Sequence, residues 1–240
     1  MSFKIWVDPE LIPDNVNFKY SCIETENRNA ANFYFHTLQR KVPHHAISLY
    51  EPDKFQYHEY VGATGLIDRM LNDAYYITNA CNLSHLKLED ERLYFVRPAS
   101  GSKPFTGFCC YGKNVIEELY KLRQIEKFNG HELLIVAEYK LISPLEFRFW
   151  ILDGKIVGEG CYSHTKASGI MCPGARAFAQ QVIDGCDLSY FGDGVVIDVC
   201  CEQLAHEYKI VEANAFSTSG WYEGLNIEAM LRSICQFYNE

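Results

Sequence analysis

Two carboxylates and one amide fall within adjacent stretches that have the pattern of β-strands. Asp198 interrupts the apolar run 195–200, and Glu212 and Asn214 stand two residues apart at the end of the run that follows. Because side chains alternate along a strand, Glu212 and Asn214 project from one face, and Asp198 can join them if the runs pair as a hairpin. Such oxygen ligands suit Mg²⁺ held together with substrate phosphates. A solvated hairpin edge with scattered acids is the alternative interpretation.

A flexible loop of small residues, Ser217, Thr218, Ser219 and Gly220, follows this hairpin. Earlier in the chain, Arg97 and Lys103 flank a second loop of small residues, 98–102. Two cations beside free backbone N–H groups are a reasonable cradle for phosphate. An ordinary hairpin with exposed basic side chains fits the same residues.

A strand with one polar face is predicted between these two sites. Glu146, Arg148 and Trp150 alternate with apolar residues, and an Asp-Gly pair at 153–154 predicts a tight turn into a second strand. Glu146 and Arg148 therefore either contact a polar ligand on that face or form a solvent-exposed ion pair.

Two further basic residues are candidates for contact with an anion. Lys166 lies in the loop 162–174, whose glycines and serines suit a flap over a bound nucleotide. Arg176 lies near the start of a predicted helix, 174–183, where a positive side chain is locally unfavourable and suggests an anionic partner.

The elements that must position these residues follow from the periodicity of the chain. We predict helices over 64–77, with Thr64 as N-cap, from Asn114 towards Gly130, and over 225–238. The run 133–137 reads as a buried strand that ends at Glu138 and Tyr139. Strands are also expected at 3–8, 17–22 and 45–51.

Composition narrows the classes of function. The chain has 240 residues, enough for one large domain or two small ones, and a net charge of −9, which argues against general binding to nucleic acids or anionic membranes. No signal peptide or membrane-spanning run is recognisable, so a soluble, cytoplasmic protein is expected. Its ten cysteines include no CxxC spacing, so we expect reduced thiols rather than disulfides or zinc ligands.

The order of these pieces resembles the ATP-grasp superfamily. Within it, the chain is similar to a compact clade found in phages and bacteria, which carries an FVRP…K.F.G segment (95–107 here) and an EFR strand (146–148 here). The resemblance covers residues 86–240. It implies an α+β fold in which two α+β subdomains grip ATP, with a hinge near 136–142, preceded by a small α/β N-terminal domain over residues 1–85.

The resemblance also implies roles for residues at the nucleotide. Asp198, Glu212 and Asn214 correspond to ligands of Mg²⁺ bridging the β- and γ-phosphates. The other implied contacts are with parts of the nucleotide and substrate: α- and β-phosphates for Arg97 and Lys103, adenine for the backbone of Glu138 and Tyr139, ribose for Glu146, triphosphate or acyl-phosphate for Arg148, and the acceptor substrate for Ser217, Ser219 and Gly220.

One position departs from the superfamily pattern. Many members place an arginine two residues before the metal-binding aspartate, where this chain has Val196. Arg148, Lys166 and Arg176 are the candidates to supply the missing charge, and the sequence does not choose between them.

The activity implied by the resemblance is ATP-dependent ligation, with ATP and Mg²⁺ as cofactors. A carboxylate on a small molecule or peptide would be activated as an acyl-phosphate and attacked by an amine or thiol. A phosphotransferase on the same fold and a non-catalytic nucleotide-binding or interaction module are the alternatives. If the chain is phage-encoded, its location is the host cytoplasm. Neither the substrates nor the oligomeric state follow from the sequence.

Overall fold

The computed structural model describes residues 3–6, 22–25, 55–101, 103–124, 130–163, 172–216, 219–220 and 224–239. The chain divides into two units, one made of Met1–Glu51 with Ile142–Glu240 and the other of Pro52–Leu141. Two short strands open the first unit, β1 (Phe3–Trp6) and β2 (Cys22–Thr25), and they pair antiparallel. β1 lies within the predicted strand 3–8, whereas the predicted strand 45–51 lies outside the described residues.

The second unit is a four-stranded antiparallel sheet with two helices. Its elements are α1 (Tyr57–Thr64), β3 (Tyr75–Thr78), β4 (Leu93–Pro98), β5 (Phe108–Tyr111), α2 (Val115–Gln124) and β6 (Leu134–Glu138). The strand order is β3-β6-β4-β5. The predicted apolar run became β6, a buried strand inside the sheet. Val115 and Leu119 of α2 pack with Val96 and Leu134 on one face of the sheet.

The helix predicted over 64–77 is wrong. Thr64 is the last residue of α1 rather than an N-cap, and Gly65 closes the helix in the left-handed conformation, with φ of 72°. The chain then makes a 3-10 turn at Ile67–Arg69, and Tyr75–Thr78 pairs with β6. The apolar spacing that suggested a helix is real burial, since Leu66 and Met70 are both inaccessible to solvent. Tertiary pairing of an aromatic and β-branched segment outweighed its helical periodicity.

The predicted domain boundary between residues 85 and 86 falls inside this unit. β3 precedes the boundary, and its hydrogen-bonded neighbour β6 follows it. The junction between the two units, at Leu141 and Ile142, lies in the stretch 136–142 predicted as a hinge.

The remainder of the first unit is built on a second antiparallel sheet. It contains β7 (Ile142–Leu152), β8 (Lys155–Ser163), α3 (Pro173–Gly185), β9 (Gly194–Glu202), β10 (Glu207–Asn214) and α4 (Ile227–Asn239), with strand order β10-β9-β7-β8. The predicted hairpin is confirmed: Asp153 and Gly154 join β7 to β8 with φ of 48° and 66°. Both values lie in the left-handed region that such two-residue turns require.

The two helices of this unit lie on opposite faces of its sheet. α3 buries Ala175, Phe178, Ala179 and Val182, and the Phe178 ring contacts that of Tyr208, which is paired with Cys201 on β9. α4 approaches the other face, where a Cβ on Gly158 would meet Met230 Sδ at 3.0 Å. Asp198 belongs to the α4 face, because it lies three residues from Cys201. None of the helices in the described part of the chain combines the length and apolar character needed to cross a bilayer.

Candidate functional site

Three charged residues form a row across the sheet of the first unit. On β7 and β9, Arg148 lies directly opposite Asp198, and on β9 and β10 Asp198 lies directly opposite Glu212. Directly opposed residues of antiparallel strands project from the same face, so the three side chains are neighbours. The predicted convergence of Asp198 and Glu212 on one face is therefore present.

A β-bulge at Val211 makes this convergence possible. From Glu207–Glu202 to Ile210–Val199 the pairing of β10 with β9 is regular, and its continuation would place Val211 opposite Asp198. The register instead shifts between Ile210 and Glu212, so that Glu212 takes that place. Without this extra residue Glu212 and Asn214 would lie on the α3 face. Bulges that redirect a side chain are over-represented next to active sites.

Arg148 grips Asp198 with two nearly parallel hydrogen bonds. Its Nε donates to Asp198 Oδ1 at 2.6 Å and its Nη2 to Oδ2 at 2.7 Å. A third donor, Nη1, bonds the carbonyl oxygen of Gly220 at 2.8 Å. The arginine is 7% exposed and the aspartate 1%. A buried pair of ions is tolerated only when its remaining donors and acceptors are satisfied, and the Gly220 carbonyl meets part of that need.

Asn214 joins the two carboxylates. Its Nδ2 donates to Asp198 Oδ2 and to Glu212 Oε1, both at 3.0 Å. The carboxylate oxygens therefore converge on one point, where a shared donor now lies. A half-turn of the Asn214 amide would exchange this donor for its oxygen and create a set of three oxygen ligands.

This oxygen set fits Mg²⁺ that is shared with phosphate groups. Within the part of the chain that the structure describes, no three His, Cys, Asp or Glu side chains cluster as metal ligands. A closed, all-protein metal site is thus not formed there. Mg²⁺ is usually bound by one or two carboxylates, with waters and substrate phosphates completing its shell, and Asp198 with Glu212 meets that requirement.

Glu146 and Trp150 continue the polar face of β7 on either side of Arg148. Glu146 is half-buried and lies opposite Cys200, where burial first and the nearby Glu146 charge second raise the pKa of the thiol to about 12. Trp150 is fully buried, and its indole N–H has no hydrogen-bond partner among the described residues.

The predicted small-residue loop is described only in part. Ser219 is buried, and its hydroxyl donates to the Ala215 carbonyl at 2.8 Å, so it serves the backbone of its own turn. Gly220 reaches the site through its carbonyl, which Arg148 binds. Ser217 lies outside the described residues.

The other two candidates for the missing positive charge do not join the row. Arg176 is half-exposed on α3, and its Nη1 lies 2.7 Å from Glu159 Oε2. The anionic neighbour suggested by its place near the helix start is therefore a residue of the same unit. Lys166 lies outside the described residues. Of the three candidates, Arg148 is the one placed in contact with Asp198.

The basic residues of the second unit differ from each other. Arg97, on β4, is 7% exposed, and its guanidinium carbon lies 5.3 Å from the centre of the Tyr57 ring. Lys103 is exposed at the surface in a loop, with a positive φ of 45°. Tyr57 was missed by sequence reasoning, because Tyr57 and Tyr60 at helical spacing suggest nothing beyond a packed helix face.

The predicted adenine-binding residues end β6. The backbone N–H of Tyr139 donates to the Leu93 carbonyl at 3.0 Å, which extends the ladder between β4 and β6. Of the two predicted N–H donors, that of Tyr139 is therefore used within the sheet. The side chain of Glu138 is exposed and forms an ion pair with Arg92 at 3.2 Å.

A thiol and a phenol on the α3 face were also missed. Cys172 Sγ, at the start of α3, lies 3.0 Å from Tyr208 Oη. Burial raises the pKa of Cys172, but the Tyr208 hydroxyl and the nearby backbone N–H groups of Ala175 and Gly174 outweigh it, so the pKa lies below its usual value. The same hydrogen bond, with burial, raises the pKa of Tyr208 to about 12.

Comparison with known proteins places this geometry in a family. Residues 43–234 match the model of an ATP-grasp domain, family 3 of its clade. The chain belongs to this family. The match covers most of the sequence, which confirms the predicted superfamily and the predicted ATP-grasp fold.

Solved structures of the ATP-grasp fold resemble the chain at low sequence identity. One is an RimK domain protein ATP-grasp from Sphaerobacter thermophilus DSM 20745, with a TM-score of 0.57, 12% identity, and coverage of 77% of this chain and 67% of that one. Another is the VanG D-Ala:D-Ser ligase from Enterococcus faecalis, with a TM-score of 0.52, 13% identity, and coverage of 77% and 62%. At such identities the likeness concerns the fold. No curated protein sequence matched the chain.

Proposed function

We propose that this protein is an ATP-dependent ligase that activates a substrate carboxylate as an acyl-phosphate, which an amine then attacks. The observation that carries the proposal is the convergence of Asp198 Oδ2 and Glu212 Oε1 on the Asn214 amide, beside the guanidinium of Arg148. This arrangement in an ATP-grasp domain supports a site for the phosphates of ATP.

Asp198, Glu212 and Asn214 would hold Mg²⁺, after the Asn214 amide turns its oxygen towards the carboxylates. When bound, the metal neutralises charge on the phosphates and on the group being transferred.

The charge on this face of the sheet also favours a divalent cation. Strands β7, β9 and β10 place the carboxylates of Glu146, Asp198 and Glu212 around the row. Arg148 and Lys209 are the cations among them, and the Lys209 ammonium also lies 3.5 Å from the exposed Glu207 carboxylate. The carboxylates therefore outnumber the cations, and a metal ion would offset the excess of negative charge.

Arg148 would orient both the metal ligand Asp198 and the loop at Gly220. Its buried guanidinium also supplies positive charge close to the carboxylates, which is the role that Val196 cannot fill. We propose that it stabilises the triphosphate or the acyl-phosphate during transfer. Support comes from its fixed position, since three of its nitrogen atoms are hydrogen-bonded to other residues of the site.

The remaining residues would bind other parts of the substrates. We assign Arg97 and Lys103 to the α- and β-phosphates, the backbone of Glu138 and Tyr139 to adenine, and Glu146 to the ribose hydroxyls. Ser217, Ser219 and Gly220 would lie beside the acceptor. Lys166 and Arg176 remain proposals for contact with the transferred phosphate, with Arg176 already bound to Glu159.

The reaction needs no covalent intermediate on the protein. An oxygen of the substrate carboxylate forms a bond to the γ-phosphorus of ATP as the bond to the β,γ-bridging oxygen breaks, and ADP leaves. The nitrogen of the amine then bonds to the acyl carbon, inorganic phosphate leaves, and the nitrogen loses a proton. Positioning and stabilisation of charge would provide the rate enhancement.

A thermal-shift titration tests the proposal. ATP, ADP and GTP are added with and without Mg²⁺ to the wild type, Asp198→Asn and Glu212→Gln. A ligand that binds the folded state raises the melting temperature with its occupancy. We expect an Mg²⁺-dependent shift with ATP that both variants lose. Glu207→Gln, an exposed glutamate of the same strand, is the matched control and should keep the shift.

The absence of any shift in the wild type, or its persistence in both site variants, would refute the proposed nucleotide site. If the shift is present, release of ADP with mixtures of carboxylates and amines identifies the reaction. A stable phosphorylated product without an amide would instead indicate a phosphotransferase. Binding without turnover under any acceptor would indicate a non-catalytic module.

A further inference from the structure

Arg97 is buried against an aromatic ring. Its guanidinium carbon lies 5.3 Å from the centre of the Tyr57 ring, within the range in which a ring face attracts a cation. Arg97 is 7% exposed and Tyr57 is fully buried. A buried arginine retains a flexible four-bond side chain, so a phosphate contact from it requires something that fixes its direction.

Tyr57 is itself held at several points. Its backbone N–H donates to the carbonyl of Ala99, just beyond the end of β4, at 2.7 Å. Its hydroxyl donates to the Asn72 carbonyl at 3.0 Å. Its ring meets the rings of Tyr60 and Tyr75 edge to face, with centroids 5.5 Å and 5.3 Å apart. The ring therefore has one orientation relative to β4, the strand that carries Arg97.

We propose that Tyr57 is a positioning residue that holds the Arg97 guanidinium ready for the phosphates of a nucleotide. This inference rests on the proposed function, in which Arg97 contacts the α- and β-phosphates. Tyr57 acts through Arg97 and touches no substrate.

A neutral ring is well suited to this role. Burial, followed by the neighbouring Tyr60, raises the pKa of the Tyr57 hydroxyl far above its usual value, so the phenol stays uncharged. An aromatic face stabilises a cation through its quadrupole and leaves the positive charge in place. The contact with Tyr57 therefore orients Arg97 without neutralising it, whereas a carboxylate in the same position would compete with the phosphate.

The test measures the affinity of ADP with Mg²⁺ and of adenosine by calorimetry, in the folded proteins. We expect Tyr57→Leu to weaken ADP binding by roughly three- to thirtyfold, the range of a buried cation–π contact, and to leave adenosine within about twofold. Tyr57→Phe keeps the ring and should stay close to the wild type. Arg97→Ala should weaken ADP selectively, and adding Tyr57→Leu to it should cause no further loss.

Tyr60→Leu is the matched control. Tyr60 is an equally buried tyrosine of α1, so this variant removes the same volume and should leave ADP affinity near that of the wild type. Equal losses for ADP and adenosine, an additive double variant, or the same loss in Tyr60→Leu would overturn the positioning role. If the wild type binds neither ligand, the proposed function fails with it. If Arg97→Ala binds ADP normally, the role of Arg97 fails although the nucleotide site stands.

Discussion

Asp198 depends on Arg148 for its presence in the fold. Replacement of Arg148 by Met would leave a carboxylate that is 1% exposed without its cation, while Asn214 and the neighbouring strands still bury it. We expect a loss of about 3–5 kcal/mol in the free energy of unfolding, which is typical when one partner of a buried pair is removed. Urea denaturation measures this loss.

The double variant Arg148→Met with Asp198→Asn should recover part of the lost stability, because no orphan charge remains. Arg176→Met is the control, since its ion pair with Glu159 is half-exposed on the arginine side and such pairs contribute about 0–1 kcal/mol. Equal losses for Arg148→Met and Arg176→Met would show that the Arg148 pair is not stabilising the fold.

The Cys172 thiol should react faster than an ordinary cysteine near neutral pH. Its pKa is lowered, so more thiolate is present below the usual value, and thiolate is the nucleophile. Tyr208→Phe removes the hydroxyl that stabilises the thiolate. We expect the midpoint of the alkylation rate against pH to move upwards, with slower reaction at about pH 7.5. Mass spectrometry of iodoacetamide-treated protein measures the rate at each cysteine.

Cys81 is exposed and hydrogen-bonds the Gly130 carbonyl, away from Tyr208, and so provides an internal control in the same sample. Its rate should be unchanged in Tyr208→Phe. An unchanged midpoint at Cys172 would contradict stabilisation of the thiolate by Tyr208.

Residue types and spacing were enough to find Asp198, Glu212, Asn214 and Arg148, because charged side chains in apolar strands are rare and need a reason. Their hydrogen-bond partners did not follow from the sequence. That Arg148 would grip Asp198 depends on β7 lying next to β9, a pairing between segments separated by α3. The Tyr57 contact with Arg97 was out of reach for the same reason.

The Val211 bulge is an element-scale feature on which the site depends. Deletion of Val211 would restore the regular register, so either Glu212 and Asn214 or the start of β10 must move to the other face of the sheet. Because the start of β10 is anchored to β9 by the turn, we expect the Mg²⁺-dependent ATP shift to disappear in the thermal titration.

Deletion of Leu204, an exposed residue of the turn between β9 and β10, is the matched control. It shortens the same hairpin by one residue and leaves the bulge in place, so the ATP shift should persist. Retention of the shift after deletion of Val211 would mean that the bulge does not set the face of Glu212.

The turn between β7 and β8 requires glycine at its second position. Gly154 has φ of 66°, so Gly154→Ala should destabilise the protein by about 1–2 kcal/mol. Gly185→Ala, at the end of α3, meets no atom within 4 Å and has no positive φ, so it should be neutral or stabilising by up to about 1 kcal/mol. Thermal unfolding of both variants compares the two costs. Similar behaviour would contradict a left-handed turn at Gly154.

Elements with a strong local signal were predictable, and those fixed by distant partners were not. The Asp-Gly turn and the apolar run of β6 carried their own signatures. β3 did not, because its sequence matched helical spacing until pairing with β6 decided its conformation. The bulge left no mark on the sequence either, since Val211 is an ordinary strand residue whose effect appears only when its partner strand is known.

At the scale of the whole molecule, residues 52–141 should fold on their own. This unit contains α1, α2 and a complete four-stranded sheet with a shared apolar core. We expect the isolated fragment 52–141 to unfold cooperatively on heating, as followed by circular dichroism. The fragment 86–141 lacks α1 and β3, which exposes one edge of β6, and should not do so. A stable fold for 86–141 alone would favour the boundary predicted at residue 86.

The distance along the chain between Arg148 and Asp198 sets an order of events during synthesis. Fifty residues separate them, whereas Asp198 and Asn214 are 16 apart across a short turn. At about 5–20 residues per second, Arg148 leaves the ribosome roughly 3–10 s before its partner exists. The hairpin of carboxylates can close locally, but the ion pair must wait for β9 to dock beside β7. We therefore expect the pair to be a late event of folding, so that its removal accelerates unfolding more than it slows refolding.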